Sequence, residues 1–91
     1  GCFCVDAGAA KALKAGASLL SIGVTSVEGQ FDRGDTIAIK DGTGRVIAHG
    51  ISAYSSSDAL HILGRHSDEI EDILGYAGRP ALVHRDDLVL A

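Results

Sequence analysis

The chain has 91 residues, 46% of them hydrophobic, and a formal net charge of −4 at pH 7. That length makes one domain, residues 1–91, able to bury about 60–65% of its unfolded surface. The charge excludes the strongly basic footprint of a typical nucleic-acid binder, whose affinity rests on phosphate neutralisation, and no apolar run reaches the roughly 18 residues of a membrane span.

Taken in chain order, Phe3 to Val5 reads as a strand. Asp6 can accept from the free N–H groups that open a helix, and Ala7 to Ala15 follows as that helix, with Ala7, Ala10 and Leu13 on one face. Gly16 stands just past its end, where a positive φ costs glycine little. Leu20 to Glu28 is expected as one strand, bent at Gly23 by a bulge. Phe31 to Asp35 turns the chain. Thr36 to Lys40 alternates Ile37 and Ile39 with polar neighbours, as a half-buried strand does. Asp41-Gly42-Thr43-Gly44 is a hairpin turn, and Arg45 to Tyr54 returns as its partner strand. Ser55 and Asp58 have the spacing of a capping box before a short helix, Ala59 to Leu63, ended by Gly64. Ser67 is expected to cap a second short helix, Asp68 to Leu74, ended by Gly75, with acidic residues where the helix dipole favours them. Arg79-Pro80 forces an extended link. Ala81 to His84 and Leu88 to Ala91 close the sheet.

There are two Phe and two Tyr and no Trp, so the core is built mainly of Val, Ile, Leu and Ala. Short strands with helical turns outside them predict a mixed α/β, mainly β fold: a small open barrel with short helices at its rim. Charge is uneven along the chain. Residues 1–50 balance five Lys/Arg against five Asp/Glu, whereas residues 51–91 carry three against seven. No signal peptide is visible. The opening Gly1-Cys2-Phe3-Cys4-Val5, a strand with no methionine, reads as the start of an excised piece.

Val5-Asp6-Ala7-Gly8-Ala9-Ala10-Lys11-Ala12-Leu13, Ser18-Leu19-Leu20, Gly23-Val24-Thr25, Val27-Glu28-Gly29, and Phe31 with Arg33-Gly34-Asp35 carry a resemblance. So do Tyr54-Ser55-Ser56, Leu74-Gly75-Tyr76 and Val83 to Leu90. Together they resemble the PUA domain at the C-terminal end of bacterial glutamate 5-kinases. The match spans nearly the whole chain and is weakest over Ala59 to Arg65. The resemblance implies a PUA-like pseudobarrel. It further implies an accessory domain following an amino acid kinase domain that uses ATP and magnesium to phosphorylate glutamate, the first step of proline synthesis, in the cytoplasm. The kinase domain of the same chain, or another subunit in a homo-oligomer, is then the natural partner.

Nothing in the chain equips it for chemistry by itself. Gly42-Thr43-Gly44 lacks the Gly-Lys-Ser/Thr ending of a phosphate loop and lies between strands. His49, His61, His66 and His84 are singletons with no paired nucleophile. Cys2 and Cys4 share one face of a strand, where a disulfide is badly placed. A metal would need further ligands than the scattered histidines offer. They read as reduced, packed thiols, and neither a catalytic nor a metal site is expected. Asp68, Glu69, Glu71 and Asp72 spread around their helix as a solvated face. Arg85-Asp86-Asp87 is expected to tie the closing turn by exposed ion pairs, each of small worth. One alternative is an RNA-binding PUA module. In RNA-binding relatives the first helix and the loop after it face the nucleic acid, which points here to Lys11, Lys14, Ala15, Gly16 and Ala17. The two lysines share a helix face, but no aromatic stands beside them to stack on a base.

Overall fold

The computed structural model describes residues 1–76 and 78–91, without the side chain of Ser67. In chain order it runs β1 (Cys2–Val5), α1 (Ala7–Lys14), β2 (Leu19–Leu20), β3 (Val24–Glu28), β4 (Thr36–Lys40), β5 (Val46–Ile51), α2 (Ser56–Ile62), α3 (Ile70–Leu74), β6 (Ala81–Val83) and β7 (Leu88–Leu90). The main sheet has the order β3-β1-β4-β5-β7, and β2 and β6 form a second, two-stranded sheet. β1 runs parallel to β4 and antiparallel to β3. The small sheet hooks onto the main one just past β5, where the Ala53 N–H donates to the Leu82 carbonyl at 2.8 Å. The result is the mainly β pseudobarrel with short helices that the sequence predicts.

The core lies between the sheets and under the helices. Phe3, Val5, Leu13, Leu19, Ile37, Ile39, Ile62, Leu82 and Val83 are all at most 1% exposed. Alternation along β1 sends Phe3 and Val5 into this core and leaves Cys2 and Cys4 on the opposite face. The Asp6 carboxylate accepts from the Ala9 N–H at 2.7 Å, which caps α1 as expected.

The expected single strand from Leu20 to Glu28 is instead two strands joined by a 3-10 turn at Ser21–Gly23. Two contacts impose the break. The Gly64 N–H donates to the Ser21 carbonyl at 2.8 Å, while the Ser21 hydroxyl donates to the Arg65 carbonyl at 2.5 Å. Glycine at position 23 makes room for α1, since a Cβ there would sit 2.6 Å from the Ala9 Cβ.

The strand expected over Arg45 to Tyr54 is shorter, Val46–Ile51. The fully buried Ser52 ends it by donating its hydroxyl to the Tyr54 carbonyl at 2.6 Å. α2 starts at Ser56 rather than Ala59, directly after its Ser55 cap. The closing turn is not tied by Arg85: among the described residues Arg85 makes no ion pair. Its N–H donates to the Ser18 hydroxyl at 2.9 Å, and the His84 ring nitrogen accepts from the Asp86 N–H at 3.2 Å. The side chain of Ser67, the expected cap, lies outside what the structure describes.

The capping box at α2 is half formed, and its second half is diverted. The Ser55 hydroxyl accepts from the Asp58 N–H at 3.2 Å. The Asp58 carboxylate, however, accepts from the Tyr76 hydroxyl at 2.6 Å, which pins the end of α3 to the start of α2. That bond holds the proton on the phenol and pushes the Tyr76 pKa from 10.0 up to about 12. The neutral phenol is the bonded form, so its stabilisation is complete below pH 10 and is lost as pH rises through 12. An ultraviolet phenolate titration of Asp58→Asn should therefore show one tyrosine ionising well below its wild-type midpoint. An unchanged titration would remove Asp58 as the cause.

Candidate functional site

The face singled out by sequence centres on α1 and the loop after it. α1 carries alanines where it packs and lysines where it does not: Ala10 and Leu13 are buried, and Lys11 and Lys14 are exposed. The loop that follows is held by backbone bonds alone. The Ala17 N–H donates to the Ala12 carbonyl and the Gly16 N–H to the Leu13 carbonyl, both at 3.0 Å. Gly16 takes φ 94°, so the pair forms a left-handed helix stop. The Ala15 N–H also points back into the helix, to Lys11 and Ala12. All three loop N–H groups are thus spent on the cap, leaving none aimed outward for a phosphate oxygen.

The structure divides the predicted residues between two flanks of α1. On one flank, Lys11 and Lys14 line a shallow depression with Ala7, Ala10 and the hairpin turn at Asp41 to Thr43. The turn is drawn tight by the Asp41 carboxylate, which accepts from the Thr43 hydroxyl at 2.6 Å and the Thr43 N–H at 2.9 Å. Those bonds, aided by the Lys14 ammonium, hold the Asp41 carboxyl below its ordinary range. The lysines therefore face a fixed carboxylate, which offsets part of their attraction for an anion. On the other flank, Ala17 lines an apolar groove of about 290 Å³ with Ala9, Ala12, Leu19, Leu20 and Ile22. Leu20 and Ile22 are each 45% exposed there. Sequence reasoning placed both in a single strand, Leu20 to Glu28, and so missed this groove. Leu20 points outward on β2 beside the buried Leu19, and the 3-10 turn carries Ile22 outward.

A second cluster lies across the sheet. Register places Cys2 opposite Glu28 on β3 and Cys4 opposite Lys40 on β4. The Cys2 thiol donates to the Glu28 carboxylate at 2.9 Å, and the Lys40 ammonium stands 3.6 Å from the same oxygen. Burial, then this hydrogen bond, pushes the Cys2 thiol from 9.0 up to about 11, while the thiol and Lys40 hold Glu28 below its ordinary range. Both cysteines are free. The four histidines stay dispersed, with His61 bonded to its own helix at the Ser57 carbonyl and His84 to Asp86. Among the described residues the α3 carboxylates form no cluster; Cys2, Cys4 and Glu28 are the trio of donor groups that converges.

The model of the PUA domain family matches residues 1–74. The chain belongs to the PUA domain family. Curated relatives of this PUA domain are glutamate 5-kinases. That of Paramagnetospirillum magneticum is 54% identical over 90 residues, which is 99% of this chain and 24% of the kinase. That of Brucella anthropi is 58% identical over 86 residues, 94% of this chain and 23% of the kinase. The matched region is the C-terminal part of those kinases, and the chain spans about a quarter of their length. Among solved structures, a PUA domain from Aeropyrum pernix K1, crystallised as a tartrate complex, has a TM-score of 0.67 and 32% identity. It covers 92% of this chain and 41% of its own. No described helix of this PUA domain is long and apolar enough to cross a membrane.

Proposed function

We propose that this PUA domain is a non-catalytic accessory and regulatory part of a cytoplasmic glutamate 5-kinase. The amino acid kinase domain of the same polypeptide would phosphorylate L-glutamate with ATP and magnesium in proline biosynthesis. One observation carries the reading: a match above 50% identity takes in 99% of this chain but only 24% of the kinase. The PUA domain itself would hold no cofactor for the phosphotransfer. Its contribution would be packing against the kinase domain, or against a second subunit, and tuning of the response. The exposed Leu20 and Ile22 beside α1 offer apolar area for that packing, and the acidic second half of the chain stays in solvent.

The test compares the whole kinase with a version ending before this domain, alongside the PUA domain alone. The whole and shortened kinases should both turn over glutamate, differing in feedback response or assembly, and the PUA domain alone should be inert toward ATP and glutamate. Turnover by the PUA domain alone would overturn the reading. The RNA alternative makes a different forecast: affinity that falls steeply with salt and disappears in Lys11→Glu with Lys14→Glu. The spent N–H groups of Ala15, Gly16 and Ala17 and the Asp41 carboxylate beside the lysines weigh against it. The expected result is no salt-dependent binding of single-stranded RNA.

A further inference from the structure

We propose that Cys2, Cys4 and Glu28 form a binding site for one zinc-class divalent cation, with water as the fourth ligand and Lys40 as the compensating charge. The donor atoms, two thiol sulfurs and a carboxylate oxygen, all lie within 4.8 Å of one another. A tetrahedral zinc with sulfur at about 2.3 Å needs ligand-to-ligand separations of about 3.5–3.8 Å. Small side-chain rotations would cover that difference, since Cys2 and Cys4 share one face of β1 and Glu28 stands opposite Cys2 on β3. The Cys2 thiol already donates to the Glu28 carboxylate. A cation would replace that proton between the same two atoms.

The donor set selects the metal. Two thiolates and a carboxylate suit zinc, cobalt or cadmium and disfavour magnesium and calcium, which take all-oxygen shells. A disulfide does not compete, because alternate residues of an extended strand are badly placed for one. The charge balances too. A divalent cation with two thiolates and a carboxylate carries one net negative charge, and Lys40 stands 3.6 Å from the Glu28 oxygen to neutralise it. Burial is graded along the trio, with Cys2 buried, Cys4 half-buried and Glu28 exposed, which leaves an entry path from solvent. On binding, both thiols lose their protons to solvent and the carboxylate, already ionised, loses none. Each bound cation therefore releases up to two protons.

The experiment is a Co2+ titration of the fully reduced 91-residue chain, watched by absorption, followed by displacement with Zn2+. The expected result is a thiolate-to-cobalt charge-transfer band that saturates at one metal per chain, with the visible intensity of tetrahedral cobalt and release of protons to the buffer. Cys2→Ser and Cys4→Ser should each abolish or strongly shift the band. Glu28→Gln, an exposed change that leaves the core alone, should weaken binding at least about tenfold, and Lys40→Ala by about 10–100-fold, as outer-shell partners do. Far-ultraviolet circular dichroism confirms folding of each variant. Any of three results would overturn the proposal: no band with the thiols reduced, a band that survives loss of both cysteines, or saturation at one metal per two chains.

Discussion

Gly50→Ala should lower the melting temperature of this PUA domain by about 12–24 °C, a large effect for one added methyl group. Gly50 lies near the end of β5, paired with Ile37 on β4 and Leu88 on β7. A Cβ there would stand 2.5 Å from the Val83 Cγ1 and 2.9 Å from the Asp87 carbonyl oxygen. Neither neighbour can yield. Val83 is fully buried on β6, and the Asp87 oxygen belongs to the backbone of the closing turn. At Gly50 the main sheet meets both the small sheet, through Val83, and the closing turn, through Asp87. Overpacking a closed site costs about 1–3 kcal/mol, and displacing the backbone of the closing turn puts this case at the upper end, about 3 kcal/mol. Each kcal/mol moves the midpoint by about 4–8 °C in a domain of this size.

Gly42→Ala is the matched control. Nothing lies within 4 Å of its added Cβ, and it is not among the glycines with positive φ. It should change stability by about 0.5 kcal/mol or less. Thermal melts of the two variants side by side decide the matter. Equal midpoints would mean that β5, β6 and the closing turn do not meet as described.

Gly50 also marks the limit of what the sequence discloses. Local features were legible. Asp6 capping α1, Gly16 and Gly75 in left-handed stops, the alternation of Thr36 to Lys40 and the Asp41 turn are all encoded within a few residues. Their energetics depend on near neighbours, which a linear pattern displays. Features set by distant neighbours were not legible. The break at Ser21 depends on Arg65, 44 residues away. The Asp58 carboxylate leaves its capping box for Tyr76, 18 residues away.

The candidate site divides in the same way. The helical spacing of Lys11 and Lys14 was enough to place them on one face. That this face looks at Asp41, while Ala17 looks into an apolar groove with Leu20 and Ile22, depends on how β2 and the hairpin turn flank α1. Glu28 beside Cys2 is a product of strand register across 26 residues. The family resemblance supplied the fold in one step, but the residues that carried it begin at Val5 and include neither Cys2 nor Cys4.

Phe3→Ala should be the most damaging core substitution, costing about 3–5 kcal/mol. Phe3 is fully buried on β1, flanked by Val27 on β3 and Ile39 on β4. Its ring meets Phe31 edge to face, with centroids 5.4 Å apart and planes at 89°. Such a pair adds about 0.5–1.5 kcal/mol beyond the area it buries. Phe31 in turn ties the core to α2: its N–H donates to the Ser56 hydroxyl at 3.2 Å, and its carbonyl accepts from the Ser56 N–H at 2.9 Å. Loss of the Phe3 ring therefore loosens both β1 and the start of α2.

The whole domain should have about 5–14 kcal/mol of stability at typical per-residue values. Removing about 4 kcal/mol would leave about 1–10 kcal/mol. Urea unfolding of Phe3→Ala, Phe31→Ala and the double variant measures the pair directly. The expected coupling is about 0.5–1.5 kcal/mol, positive in the sense that the second truncation costs less than the first. Additive losses would show that the two rings do not touch in solution. Phe3→Leu should recover more than half of the loss, because it restores most of the volume without the ring. If the leucine variant is no more stable than the alanine variant, the damage comes from the lost edge-to-face contact and not from the cavity, and the packing argument for β1 fails.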